Sequence, residues 1–476
     1  MYNESGFTEI GFIMFLGGKM AAFIGREKEI SLLRGILAKP SASVMVYGKR
    51  KVGKTTLLMH ALKESEDPTV YYECLKSTMK ENVDGFAKAL AAAKVIPVIL
   101  PFASFTDVFA YLNTLGKTLN IVIDEYPYLK EIEKAEAVDS LFQSIIDNHL
   151  SNIRLFLSGS HIGMMKESLD EKNALYGRFT LTLRLGELSY REAAEFYPDK
   201  PVYEKIALWS VFGGSPFING FIDPEKDLKS NIVSSVLNPY CPVFTYAEHL
   251  LISNYANPVN AERIMFAISN GSKKYGEIES MLGLKNNGLL SKQITSLLNM
   301  EILAKRFPIN KANDKKKISY ELCDNLLRFY YAFVYRNKSA LQVLGAGAFY
   351  DEYIEKPLQT FIAHRFEELC REYFSMLIQS GKLRGITNVG TYWYDDPESR
   401  TNGEFDVVLQ RRGAYDIYEV KYHSAPMPEK EVVAEAGKIE KIKGLTPGRI
   451  GFISASGFDE RTGEYDYIDG NELYGG

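Results

Sequence analysis

The stretch Gly48-Lys49-Arg50-Lys51-Val52-Gly53-Lys54-Thr55 constrains the fold more than any other part of the chain. It fits the pattern GxxxxGK[ST], follows the short apolar run Val44-Met45-Val46-Tyr47, and opens a helical pattern from Thr55 to Leu62. Glycines at both ends let the backbone curl so that successive N–H groups converge, and the helix N-terminus adds the positive end of its dipole. Strand, curled loop and helix in this order make a cradle for nucleotide phosphates. Gly48, Lys49, Arg50, Lys51, Val52, Gly53, Lys54, Thr55 and Thr56 form the expected phosphate-binding set. Within it, Lys54 is placed to bridge the β- and γ-phosphates and Thr55 to ligate Mg2+.

A second apolar strand, Ile121-Val122-Ile123, ends in Asp124-Glu125. Open α/β sheets place ligands at the carboxyl ends of their strands. Asp124 is therefore expected to hold Mg2+ through water, and Glu125 to polarise the attacking water. An acidic pair at a strand end is otherwise solvated loop charge. A third strand, Leu155-Phe156-Leu157, runs into Ser158-Gly159-Ser160. The Ser160 hydroxyl is a candidate γ-phosphate sensor, with a plain Ser/Gly turn as the alternative. Arg178, in Leu175-Tyr176-Gly177-Arg178, could neutralise transition-state charge in its own subunit or a neighbour's, or be a surface arginine.

Apolar runs at Val70–Tyr72, Leu119–Ile123 and Ile153–Leu157 alternate with helical patterns at Phe86–Ala93 and Asp139–Leu150. That alternation predicts a parallel sheet covered on both faces. The chain has 476 residues, enough for two to four domains at roughly 100–200 residues each. We divide it into an extension (1–22), a P-loop core (23–185), a helical lid packed on the sheet (186–258), a winged helix-turn-helix (259–322), a helical connector (323–355) and a C-terminal α/β domain (356–476). Residues 1–19, which precede Met20, are a dispensable extension, a misassigned start or an ordinary N-terminal strand. Lys and Arg number 56 against 60 Asp and Glu, so any nucleic-acid surface must be local. Cys74, Cys241, Cys323 and Cys370 lie far apart, which excludes a thiolate zinc site and a disulfide framework and suits a reducing cytoplasm. No apolar run reaches the ~18 residues of a membrane helix.

Helical patterns at 261–268, 275–282 and 289–298 precede strands at 302–306 and 317–320, which is the order of a winged helix. Lys305, Arg306, Lys311, Lys315, Lys316 and Lys317 cluster around its turn. That turn could lie on phosphates, while Lys285, Asn286, Asn287, Lys292 and Gln293 could reach bases. The alternatives are a solvated polar turn, or a module that binds or packs on protein. His60, His161, His364 and His423 show no ligand spacing.

Farther on, Gly403–Leu409 and Tyr415–Lys421 read as a β-hairpin with a four-residue loop, Arg411–Ala414. Gln410 then faces Tyr415, Asp406 faces Glu419, and Glu404 faces Lys421, with Phe405, Val407, Tyr418 and Val420 on the apolar face. Directly opposed carboxylates destabilise a sheet, so a divalent cation between Asp406 and Glu419 is the natural explanation. Lys421 could orient a water or stabilise developing charge. A solvated strand face is the plainer reading.

Phe23-Ile24-Gly25-Arg26-Glu27, the phosphate loop, Leu157-Ser158-Gly159-Ser160, Leu175-Tyr176-Gly177-Arg178 and Gly213-Gly214-Ser215-Pro216 together resemble the archaeal-type P-loop ATPases, AAA+-related members of the STAND class. That family usually has arginines where this chain has Lys49 and Lys51. The resemblance implies ATP and Mg2+ as cofactors, Gly25 and Arg26 near the nucleotide base, and the Gly-Gly-Ser-Pro turn in the lid. It also implies a winged helix, a C-terminal domain of the domain-of-unknown-function family 234 type, and a nucleic-acid target. The spacing Asp406…Glu419-x-Lys421 resembles PD-(D/E)xK nucleases, and Phe366–Arg371 resembles their first helix. That likeness adds Glu367 to the metal set with Asp406 and Glu419. The leading proline is absent, since Phe405 precedes Asp406. The expected protein is an ATP-dependent switch acting on DNA through the winged helix and C-terminal domain, with nuclease chemistry at Asp406, Glu419 and Lys421. The rival is a signalling scaffold whose C-terminal domain only binds. A protein partner and oligomerisation are both open.

Overall fold

The structure, a computed structural model, describes residues 15–16, 19–20, 23–249, 258–284, 288–312, 314–396, 401–442, 445 and 447–475. It divides into two units: residues 1–188 with 215–220, and residues 189–214 with 221–476.

The first unit opens with a minimal hairpin, β1 (Phe15–Leu16) and β2 (Lys19–Met20). Then come α1 (Glu27–Leu37), β3 (Ala42–Tyr47), α2 (Lys54–Leu62), β4 (Thr69–Glu73), α3 (Met79–Ala92) and α4 (Phe105–Thr114). The unit continues through β5 (Leu119–Asp124), α5 (Pro127–Ile132), α6 (Ala135–Asn148), β6 (Ile153–Gly159), α7 (Ile162–Glu167) and β7 (Leu181–Arg184). The five strands run in the order β4-β5-β6-β3-β7, all parallel. Register places Tyr47 beside Gly159 and Arg184, so the strands end together where the phosphate loop begins. β3, β5 and β6 are buried throughout, because helices cover both faces. Met45, Ile121, Ile123, Leu155 and Leu157 pack with Phe86, Phe105, Phe109 and Phe142. On the other face Val44, Val46, Val122 and Phe156 pack with Leu33, Leu57 and Leu58. The expected parallel sheet is thus present, with strand alternation hidden because both faces are apolar.

In the second unit come α8 (Tyr190–Ala194) and α9 (Val202–Phe212). After α10 (Pro216–Asn219), which packs in the first unit, follow α11 (Leu228–Ser234), α12 (Pro242–His249) and α13 (Pro258–Ser269). Of the stretch expected as lid, residues 186–188 and Ser215–Gly220 fall in the first unit, and α8, α9, α11 and α12 in the second. The reason lies in α9, whose residues from Ile206 to Phe212 are all buried. A helix apolar on every side must sit inside a larger core. Asn325 Nδ2 donates to its Trp209 carbonyl at 2.9 Å.

β8 (Lys273–Lys274), α14 (Tyr275–Leu282), α15 (Gly288–Asn299), β9 (Leu303–Arg306) and β10 (Ser319–Leu322) follow. The strands form a small antiparallel sheet ordered β8-β10-β9. After α16 (Asn325–Phe329), α17 (Lys338–Tyr353) and α18 (Glu355–Gln379) come β11 (Ile386–Asp396), β12 (Thr401–Arg411) and β13 (Ala414–Lys421). The chain ends with α19 (Glu429–Glu440), β14 (Pro447–Ser454), β15 (Asp466–Asp469) and α20 (Gly470–Tyr474). β11, β12 and β13 are antiparallel, and β14 and β15 extend the sheet in parallel.

The hairpin has the expected register, Gln410 opposite Tyr415, but a tighter turn. Arg411 pairs with Ala414, leaving Arg412 and Gly413, the latter at φ +83°. The β12–β13 ladder runs only to Val407 opposite Tyr418. Against β11, the step from Phe405 to Val408 faces only Tyr392 to Gly390. That bulge adds one residue and reverses the alternation. Phe405 therefore does not share a face with Val407 and Tyr418; it packs with Val408, Ile417 and Ile439.

Candidate active site

The phosphate loop joins β3 to α2. Lys51 and Gly53 take left-handed backbone conformations, φ +67° and +88°. At Gly48 a Cβ would stand 2.1 Å from the Leu185 carbonyl oxygen, so only glycine fits there. Lys54 is buried, and its ammonium donates to the carbonyls of Gly48 and Lys49, each at 3.0 Å. Burial pulls the Lys54 pKa down, with Glu125 and Asp124 opposing. Two flanking segments grip the loop. Arg26 donates to the carbonyls of Gly186 (2.6 Å) and Val52 (3.3 Å), and Lys49 pairs with Glu187 at 3.4 Å. From the other side Ser215 Oγ donates to the Lys51 carbonyl at 3.0 Å, and Lys51 Nζ lies 4.4 Å from the Phe217 ring centre. Gly25 and Arg26 both have positive φ and start α1. Arg26, expected near a nucleotide base, is a buried clamp on the loop backbone.

Asp124 sits at the end of β5. Its Oδ2 accepts from Thr55 Oγ1 (2.6 Å) and Tyr71 OH (3.0 Å), and its Oδ1 from the Glu125 backbone N–H (2.9 Å). Tyr71 was not singled out by sequence, because a tyrosine in an apolar strand reads as core. Its hydroxyl pKa is raised by burial and by the Asp124 carboxylate. Glu125, at φ +49°, directs its carboxylate to Ser160, whose hydroxyl lies 2.7 Å from Oε1 and 2.8 Å from Oε2. Arg50 donates to Tyr128 OH at 2.7 Å. Thr56 is half-buried in the first turn of α2.

Arg178 does not join this group. Its backbone carbonyl accepts from Ser43 Oγ, five residues before Gly48, and its guanidinium pairs with Asp147 at 3.1 Å. Five residues of strand span roughly 16 Å. Arg178 therefore stands at the amino end of the sheet, opposite its own phosphate loop. The reason is β7, which runs parallel to β3 and whose first residue, Leu181, pairs with Val44.

The donor set fits a magnesium-bound triphosphate. One ammonium and a helix N-terminus would meet phosphate oxygens, and the Thr55 hydroxyl with Asp124 would hold the cation. Residues 23–218 match a family described as an ATPase domain predominantly from Archaea. Residues 330–434 match one described as archaeal and bacterial proteins of unknown function. The chain carries an archaeal-type P-loop ATPase domain, followed by a region of the second family. An uncharacterized protein of Methanocaldococcus jannaschii is 29% identical over 79% of this ATPase and 83% of its own length. An uncharacterized ATP-binding protein of Pyrococcus horikoshii is 27% identical over 38% of this chain and 73% of its own. A Walker-type ATPase of Pyrococcus abyssi superposes with a TM-score of 0.50 at 20% identity, over 65% of this chain and 96% of that one, a likeness of fold.

The second candidate site of the ATPase lies in the C-terminal sheet. The Asp406 carboxyl is pushed up to about 7 by burial and by the Glu367 carboxylate, with Glu404 and Glu419 adding. Arg371 Nη1 donates to the Asp406 carbonyl at 2.6 Å. Glu367 pairs with His364 at 3.3 Å. Glu419 pairs with Lys421 at 2.8 Å, and Lys421 also reaches Glu435 at 3.5 Å. Asp406 thus feels the charge of both Glu367 and Glu419. Among the described residues, however, no three His, Cys, Asp or Glu side chains converge as a metal cage.

The basic wing is partly consumed by packing. Arg306 pairs with Glu321 at 2.5 Å and lies 3.8 Å from Glu368, beside Arg328 and Arg365. Ile309 enters the C-terminal core, where Gly390 leaves room: a Cβ there would lie 2.6 Å from Ile309 Cγ2. The Asn310 side-chain amide donates to the Trp393 carbonyl at 2.8 Å and accepts from the Trp393 backbone N–H at 3.1 Å, and Lys317 Nζ stands 3.7 Å from that ring centre. Lys305, Lys311, Lys315 and Lys316 stay exposed. On α15, Lys292 is exposed and Gln293 buried; Lys285, Asn286 and Asn287 lie outside the described residues. Among the described residues no helix is long and apolar enough to cross a membrane.

Proposed function

We propose that this ATPase is a nucleotide-dependent switch that hydrolyses ATP and passes the change to its winged-helix and C-terminal region, acting on DNA. The carrying observation is the grip on the phosphate loop. The segments that hold it, Gly186–Glu187 and Ser215–Phe217, adjoin the points where the chain passes between the two units. A triphosphate that reshapes the loop pulls on both. Lys54 steadies the phosphates, Thr55 and Asp124 hold Mg2+, and Glu125 orients water. The cation supplies charge neutralisation; the chain's groups position and exclude. Arg178, at the far end of the sheet and paired with Asp147, is either a surface ion pair or a group offered to a neighbouring subunit's nucleotide.

A filter-binding assay with labelled ATP tests the site. Lys54→Ala is expected to abolish retention that wild type shows, and equal retention would defeat the assignment. For the C-terminal region, the order helix, three antiparallel strands, helix, parallel strand supports a nuclease-like module, as does the Asp406–Glu419 neighbourhood. One observation favours the rival, a domain that binds without cleaving: the Lys421 ammonium is already held by Glu419 and Glu435. Plasmid nicking with Mn2+, compared with Asp406→Ala, separates the two.

A further inference from the structure

Three donors converge on the Asp124 carboxylate, and only two belong to the phosphate-binding motif or the chain that follows Asp124. Oδ1 takes the Glu125 N–H, and Oδ2 takes the Thr55 hydroxyl and the Tyr71 hydroxyl. Tyr71 comes from β4, the strand beside β5, where it pairs with Val122 and shares the face that carries Asp124. Its neighbour Tyr72 points to the opposite face and bonds Asn82 at 2.9 Å inside the core.

We propose that Tyr71 is a positioning residue for the metal–nucleotide centre, holding Asp124 so that one carboxylate oxygen receives the Thr55 hydroxyl while that hydroxyl's lone pair is left for Mg2+. The inference rests on the magnesium-triphosphate reading of the site. The geometry explains why one oxygen carries two donors. A carboxylate restrained only by Thr55 and its own backbone neighbour can swing about its side-chain torsion, and each swing breaks the Thr55 bond. The phenol closes that freedom from the adjacent strand. Outer-shell partners of this kind typically contribute about 10–100-fold to metal affinity when removed.

The test is nucleotide binding, read by a fluorescent ATP analogue on the full chain, in EDTA and at stepped Mg2+. Tyr71→Phe is expected to bind the analogue in EDTA within about twofold of wild type, which also shows that it is folded, and to need about tenfold more Mg2+ for the half-maximal metal-dependent signal. Tyr72→Phe, which deletes a structural hydroxyl from the same strand, is expected to keep the wild-type Mg2+ midpoint. An unchanged midpoint in Tyr71→Phe overturns the inference, and so does a loss of binding that is equal in EDTA and Mg2+. Wild-type protein that shows no Mg2+-dependent signal overturns instead the site reading beneath it.

Discussion

Glu125 and Ser160 are locked together: the serine hydroxyl stands 2.7 and 2.8 Å from the two carboxylate oxygens, and its backbone N–H donates to Oε2 at 3.2 Å. The proposed water-orienting group is therefore fixed by the end of β6, and the proposed phosphate sensor acts on that group. Ser160→Ala is expected to leave ATP affinity within about twofold and to lower turnover about tenfold. Glu125→Gln is expected to lower turnover by about 10²–10⁴, the range of a general base. Phosphate release under saturating ATP checks both.

Lys130 and Asp139 form a buried ion pair at 2.8 Å, completed by Tyr126, Ser168 and Asn173. It joins α5, α6 and the segment after α7 directly beyond Glu125. Removing one member strands a buried charge. Lys130→Ala is expected to cost about 3–5 kcal/mol in urea unfolding of the first unit, and Lys130→Ala with Asp139→Ala less than either change alone would suggest.

Asp406 gives the second unit a pH signature. Burial first and Glu367 second raise its carboxyl from 3.8 to about 7. Between those values the folded chain keeps a proton that the unfolded chain has lost, so stability falls as pH rises from about 4 to about 7. The full shift corresponds to at most about 4 kcal/mol. Asp406→Asn is expected to flatten that slope and to be the more stable form at pH 8, by urea midpoints across the range.

The wing makes two separable predictions. Ile309→Ala removes a core side chain and is expected to destabilise the second unit by about 2–5 kcal/mol. Combined substitution of Lys311, Lys315 and Lys316 by alanine is expected to leave stability unchanged and to make DNA affinity less sensitive to salt. The log–log slope should flatten by about 0.9 for each phosphate that these lysines neutralise in the wild type. A DNA affinity indifferent to these three lysines removes the wing from the DNA surface.

Much of the first unit was legible because its strands are continuous apolar runs and the phosphate loop is contiguous in sequence. α1 and α4 were not recognised, although Ile30, Leu33 and Ile36 carry a helical period in α1. β7 escaped as well; it is four residues long and fully buries only Leu183. In the C-terminal hairpin the register was readable from the turn. The bulge at Phe405–Val408 was not, since its cause is the pairing with β11.

Sequence by itself determined the strand–loop–helix cradle, the acidic strand end and the three-helix, two-strand order of residues 261–320. Those depend on short-range curvature and on hydrophobic period. The tertiary structure alone decided the partners of the charged groups: Asp124 with Thr55, 69 positions away; Glu125 with Ser160, 35 away; Arg306 with Glu368. It also sent Arg178 to the wrong end of the sheet for its own loop. A side chain's charge is written in the sequence, but the field it experiences is set by packing between segments whose separation along the chain carries no distance information.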